Sequence, residues 1–315
     1  MQPDLLDWPA AAAHPASRYR TALHLFPSPP PAKQLDGMRQ AIADWEPMQR
    51  ILALQRDDGG FRHTGKTKTS AATFAAVGLM VRCGMDLRDE RLARAVDQLL
   101  GAHLKRGAFS HTTAPSGILP CYVGVMARTL MPILGLDHPA MRSCVDYILE
   151  FQRFDHKNTR AGGTGEWPYK AVDSYGGCWW SVSCYHGVAA TFGALAAIPP
   201  ELRSAEVRDR LDAALRYLEI HRGYKRSSND KPLFRHLTQF FLVGDYRVHL
   251  IDVLEGIADA DPGLIERDWV RAAMDDMAAL CVDGKVTLIK NYAKQLMDPI
   301  PLEPIGEPSR LLTLQ

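Results

Sequence analysis

Two short stretches of this 315-residue chain echo one another, CYVGV (121–125) and CYHGV (184–188), and each places a thiol where a helix is expected to begin. A helix start carries partial positive charge, which lowers a thiol pKa and favours the thiolate that nucleophilic or metal-ligand chemistry needs. Cys178 lies shortly before Cys184 and can reach the same place from a loop, and Asp173, His186, His236 and His249 are the nearest candidate partners. Cys121, Cys178 and Cys184 with His186 would suit tetrahedral zinc or a softer transition metal. The other reading is packing, since free cysteine is among the most buried residue types. Cys83, Cys144 and Cys281 fall in or at the ends of helical segments and read as packing residues.

Three further groups have chemical potential. The stretch GEWPYKAVDSYGGCWW (165–180) gathers Trp167, Tyr169, Tyr175, Trp179 and Trp180, which could wall a cavity or hold a cation on their faces, or simply pack a long loop. HRGYKRSS (221–228) offers Arg222 and Arg226 to a phosphate or carboxylate, although cations after a helix are favourable in themselves. In GDYRVHLIDVLEG (244–256), His249 and Asp252 are three apart on one helix face. Asp252 could serve as a general acid or base there, with Arg247 or His249 as the partner a buried carboxylate needs. GKTKT (65–69) lacks the spacing of a phosphate-binding loop.

The elements that must position these residues repeat. ILALQ, LLGAH, ILEFQ, YLEIH and MAALC close five apolar-periodic segments at Gln55, His103, Gln152, His221 and Cys281. Turns QRDDGGF, KRGAF and CVDGK follow three of them, and a second helical pattern comes next. Self-similarity at intervals of about 50–70 residues marks stacked helix pairs. Helices are expected from Met38 through Trp45 to Gln55, then over 69–84, 89–103, 120–135, 141–152, 184–198, 205–221, 247–258 and 269–281. Alternate members are rich in Ala, Gly, Val and Leu, as inner helices should be, and the others carry charges on one face. The expected fold is all-α: one α/α toroid of inner and outer helices over residues 38–315, built from five to six helix pairs, after an irregular arm at 1–37 with a short helix near Tyr19–Leu25. The closing PSRLLTLQ looks like the start of another inner helix, with the arm or a partner completing that pair.

Composition narrows the function. Lys+Arg at 37 against Asp+Glu at 36 leaves a net charge of +1, without the basic field of a nucleic-acid binder. No apolar run approaches a membrane span, and the start MQPDLLDWP lacks the pattern of a secretory signal. A cytoplasmic protein is expected, with oligomerisation open.

QRDDGGF resembles the glutamine-aromatic repeat of squalene and terpenoid cyclases, and the helix pairing resembles the α/α toroid those enzymes share with protein prenyltransferase β subunits. A closer resemblance, to bacterial single-toroid proteins described as prenyltransferase- or squalene-cyclase-like, rests on PCYVGVMARTL (120–130), CWWSVSCYHGVAATFGALAAIP (178–199), IHRGYKRSS (220–228) and PIGEPSRLLTL (304–314). It covers residues 40–315. The Asp-x-Asp-Asp acid motif of class II cyclases is missing, with only Asp57-Asp58 and Asp275-Asp276 as pairs. Cys121-Tyr122 and Cys184-Tyr185 resemble the helix starts at which prenyltransferases bind zinc, but Leu119 and Val182 stand where that family has Asp and His. The resemblance therefore implies neither a standard class II cyclase nor a protein prenyltransferase.

Together these readings lean towards an enzyme of cyclase, transferase or lyase type acting on a small or isoprenoid-like apolar molecule in the toroid's central cavity. Asp173, His236, His249 and Asp252 are its acid–base candidates. Trp167, Tyr175, Trp179, Trp180, Arg222 and Arg226 would hold substrate, and Cys121, Cys178, Cys184 and His186 a metal such as zinc. A carrier for a hydrophobic metabolite and a protein-interaction scaffold are the alternatives.

Overall fold

In the computed structural model, residues 8, 14–26, 28–62, 69–154, 156, 183–244, 246–289 and 302–314 are described. The helices are α1 (Pro15–His24), α2 (Ala32–Asp44), α3 (Glu46–Leu52), α4 (Thr69–Cys83), α5 (Glu90–His103), α6 (Pro120–Leu134), α7 (Pro139–Phe151), α8 (Tyr185–Ala196), α9 (Ala205–Ile220), α10 (Leu250–Ala260), α11 (Asp268–Ala279) and α12 (Arg310–Thr313). A two-stranded antiparallel hairpin, β1 (Leu104–Lys105) and β2 (Ala108–Phe109), follows α5. The chain is mostly helical, as expected. It divides into two compact units, Met1–Leu99 with Gln239–Asp245 and Ala278–Gln315, and Leu100–Thr238 with Tyr246–Met277.

In four of the five repeated segments the closing polar residue bonds a carbonyl beyond its helix. Gln55 Nε2 donates to Gly59 O at 3.0 Å and to Arg91 O at 2.7 Å. His103 Nδ1 donates to Ser110 O at 3.1 Å, and His221 Nδ1 to Lys225 O at 2.9 Å. Gln152 Nε2 donates to Arg153 O. Apart from the bond to Arg91 O, which lies in α5, each satisfies a carbonyl beyond the helix it closes. The turns are sharp: Arg106-Gly107, Arg222-Gly223 and Asp283-Gly284 all have positive φ at both residues. In the hairpin this pair is the two-residue connection whose twist matches the strands.

In the first unit the expected helix through Trp45 is two helices. Trp45 is extended, with ψ at 128°, and caps both α2 and α3. Pro47 lies in the first turn of α3, where its missing N–H costs nothing, whereas in a continuous helix it would break the ladder. The expected short arm helix is α1, longer at its start because Pro15 sits at the first helical position and His14 Nδ1 accepts Ser17 N at 3.2 Å. The chain ends pack together: His14 Nε2 stands 3.5 Å from Glu303 Oε1, while Arg310 Nε donates to Trp8 O at 3.2 Å. Glu303 is buried and accepts from Ser309 Oγ, Arg310 N and Leu311 N. Burial nevertheless raises its carboxyl above the ordinary range, against those hydrogen bonds.

In the second unit α8 is buried along its whole length, as an inner helix of Ala, Gly and Val should be. Large apolar members such as Phe192 and Leu195 stabilise by roughly 1.5–3 kcal/mol each on burial. α6 lies against it in backbone contact. A Cβ on Gly187 would meet Pro120 at 2.9 Å, one on Gly124 the Ala190 carbonyl carbon at 2.3 Å, and one on Gly193 the Arg128 side chain at 3.0 Å. These contacts advance together along both helices, so α6 and α8 run parallel. Arg203 ties α8 to α10 at their far ends, donating to Ala196 O and Ile198 O on one side and to Asp259 O and Ala260 O on the other, all within 2.6–2.8 Å. Three apolar helices thus point the same way, with their N-termini at one end.

Candidate functional site

The parallel packing brings a chain of rings together at that shared end. Tyr122 enters from the first turn of α6, His186 from the first turn of α8, and Tyr246 and Arg247 from the approach to α10. His111, between β2 and α6, has Nδ1 tied to Gly117 O at 2.7 Å. Its ring stacks on Tyr122 with centroids 5.3 Å apart, and Tyr122 lies 5.9 Å from Tyr246. Tyr246 meets His186 edge to face at 6.0 Å and carries the Arg247 guanidinium 4.4 Å from its centroid. Phe234 and His236, from the loop after α9, complete the set. Phe234 is 4.8 Å from the His186 ring, near parallel to it, and 42% exposed.

Two imidazoles of the site are in polar contact with one another. His236 Nε2 lies 3.0 Å from His186 Nε2. His186 is 6% exposed, and its Nδ1 is buried with no hydrogen-bond partner among the described residues. Burial, with His236 and Arg247 adding to it, pushes the His186 pKa down to about 3, so the ring is neutral. Beside this site Tyr185 donates to Gly223 O at 2.6 Å, Tyr217 donates to Ser183 O at 3.3 Å, and Tyr217 packs against His221 and His156. Burial raises both phenols far above their ordinary pKa.

Of the residues singled out by type and spacing, His186 and His236 come together. Cys121 is buried in the first turn of α6, and Cys184 is the half-buried N-cap of α8. Both thiols therefore stand at helix starts on one end, as expected. No group of three or more His, Cys, Asp or Glu among the described residues is placed to hold a metal. Cys178, Asp173, Trp167, Tyr175, Trp179 and Trp180 lie outside the described residues. His249 and Asp252 form a capping box at the start of α10: His249 Nδ1 accepts Asp252 N at 3.3 Å, and Asp252 Oδ2 accepts His249 N at 2.9 Å. His249 is thus the partner the carboxylate needed, and α10 begins at Leu250 because His249 is its cap. Arg222 braces its own loop, bonding Asp230 Oδ1 at 2.6 Å and the carbonyls of Arg226 and Asn229, and Arg226 is exposed on that loop.

No family model, no curated protein and no solved structure matches the chain. The site's geometry is therefore what any functional reading must rest on. Four of its members, His111, Tyr122, Phe234 and Tyr246, were not picked out by spacing. Tyr122 had a signal, since it holds the second place of CYVGV beside the cysteine, and the fourth place holds the helix-contact glycine.

Proposed function

We propose that the chain is an α/α-toroid enzyme of terpenoid-cyclase or prenyltransferase-like type, acting on a small or isoprenoid-like apolar molecule at the shared N-terminal end of α6, α8 and α10. The observation that carries this reading is the imidazole pair set among aromatic rings. Apolar walls with a few convergent polar groups are what a small-molecule site requires. Tyr122, Phe234 and Tyr246 would hold hydrocarbon, and His186 and His236 would meet the one polar group of the substrate.

Geraniol and farnesol, incubated with the protein, test the reading by calorimetry and mass-spectrometric product detection. Binding should weaken at least tenfold in Tyr122→Ala and Tyr246→Ala, and conversion should fall by about 10²–10⁴ in His236→Gln. Binding without conversion would favour the carrier alternative. Failure of both probes to bind, or binding indifferent to the tyrosines, would refute the site.

A further inference from the structure

We propose that a cleft in the first compact unit binds a free α-amino acid with an apolar side chain, its two charged ends held by Asp36 and Arg39. This cleft and the aromatic site lie in different compact units, and neither reading requires the other.

The cleft, about 320 Å³ in volume, lies between one face of α2 and the turn that joins α4 to α5. Asp36, Arg39, Gln40 and Ala43 are three or four apart in α2, so they share that face. Opposite them the chain leaves α4 at Gly84, with φ at 103°, and a Cβ there would meet the Tyr19 ring at 2.3 Å. The same ring carries the Arg39 guanidinium 5.0 Å from its centroid, which helps to hold that cation at the cleft.

The charges of the lining alternate around a closed ring. Arg39 stands 3.3 Å from Asp36 and 3.1 Å from Asp86, and Arg88 stands 2.7 Å from Asp86 and pairs with Asp36 in turn. The third carboxylate, Asp89, is clamped by Arg91 at 2.7 Å. Hydrogen bonds from Arg88 hold the Asp86 carboxyl below the usual carboxylate range, so the ring keeps its charges. A ligand of one sign meets as much repulsion as attraction in such a ring, whereas a dipolar one lies across it with each end on its opposite. Asp36 Oδ2, Arg39 Nη2 and Gln40 Oε1 make no hydrogen bond among the described residues. The ammonium donates to Asp36 Oδ2 and Gln40 Oε1, one turn apart, and the carboxylate accepts from Arg39 Nη2. Met85 and Ala43, only 3% and 5% exposed, line the cleft with apolar surface for the side chain. Asp36 and Arg88 pair at the surface, where an ion pair contributes little and yields to a ligand at small cost. The volume is at the small end of the roughly 300–1,000 Å³ of ligand sites, which suits one amino acid.

Calorimetry of the full chain with L-leucine and L-methionine tests this, beside isocaproate and isoamylamine, which each keep one of leucine's two charges. At least one amino acid should bind, with each leucine analogue weaker than leucine by about tenfold or more. Asp36→Asn and Arg39→Gln should each weaken binding by about tenfold. If Arg39→Gln does not fold, Asp36→Asn, whose side chain is 52% exposed, still reads the site. Absence of saturable heat from both amino acids at about 10 mM would overturn the proposal. So would an analogue that binds as tightly as leucine, or binding that Asp36→Asn leaves unmoved.

Discussion

Gly124→Ala adds one methyl at the point where α6 and α8 touch, and the structure gives its size and sign. The new Cβ would lie 2.3 Å from Ala190 C, 2.4 Å from Thr191 N and 2.6 Å from Ala190 O. All three are backbone atoms of a fully buried helix, so no side chain can swing aside. Ordinary Cβ contacts begin near 3.4 Å, so the helices must part by about 1 Å, and a gap of that order forfeits a quarter to a half of each dispersion contact it opens. Overpacking of this kind costs about 1–3 kcal/mol, even after alanine's better helix propensity. The same substitution at Gly101 in α5, which meets nothing within 4 Å, should instead stabilise by about 0.5–1 kcal/mol. Both glycines lie in the same compact unit, so urea unfolding should move their midpoints in opposite directions, about 1.5–4 kcal/mol apart. Gly124→Ala should also weaken any ligand that spans Tyr122 and His186. If both variants shift the same way, the helices are not in backbone contact, and the argument that places those two residues at one end fails.

Three further outcomes are expected. Arg203→Lys cannot span the four carbonyls that the guanidinium bonds at the ends of α8 and α10; it should cost about 2–4 kcal/mol, and an unchanged thermal midpoint would show those ends are held otherwise. Burial lowers His14 from 6.5 to about 4, so the unfolded chain takes that proton first and stability falls as pH drops from 6.5 towards 4, by up to about 1.4 kcal/mol per pH unit for each such group. His186 adds in the same sense down to about 3, while the raised Glu303 offsets part of it in the acid limb. His14→Asn, which keeps a cap acceptor, should flatten the slope of urea midpoint against pH, and an unaltered slope would count against a neutral buried His14. Cys83 and Cys144, buried and pushed up to about 12, should resist a disulfide reagent at pH 8 until the chain unfolds; mass mapping that finds either labelled within minutes would contradict their burial.

What could be read before folding was the local physics, and what could not was pairing across distance. The closing residues Gln55, His103, Gln152 and His221 recur because each must satisfy a carbonyl in the turn it precedes, so the repeat was visible. Arg222-Gly223 escaped notice as a turn because tyrosine follows where the other repeats show Gly-Ala-Phe or Asp-Gly. The break at Trp45 was hidden because apolar spacing continues across it, and Pro47 reads as a helix start only once the chain is seen to leave the helix before it.

The echo CYVGV and CYHGV was correctly taken to mark two equivalent helix starts, but its cysteines drew the attention that its glycines had earned. Gly124 and Gly187 face the neighbouring backbone, and that close approach is what brings position 122 of one helix beside position 186 of the other. His186 and His236 are separated by the loop, α9 and a turn, so spacing could nominate them only singly. Their meeting follows from the parallel course of α6, α8 and α10, which small residues permit and Arg203 fastens. The repeat that looked like a set of ligands is first a packing device, and the chemistry proposed here exists because that device leaves three helix starts, and the rings they carry, at one end.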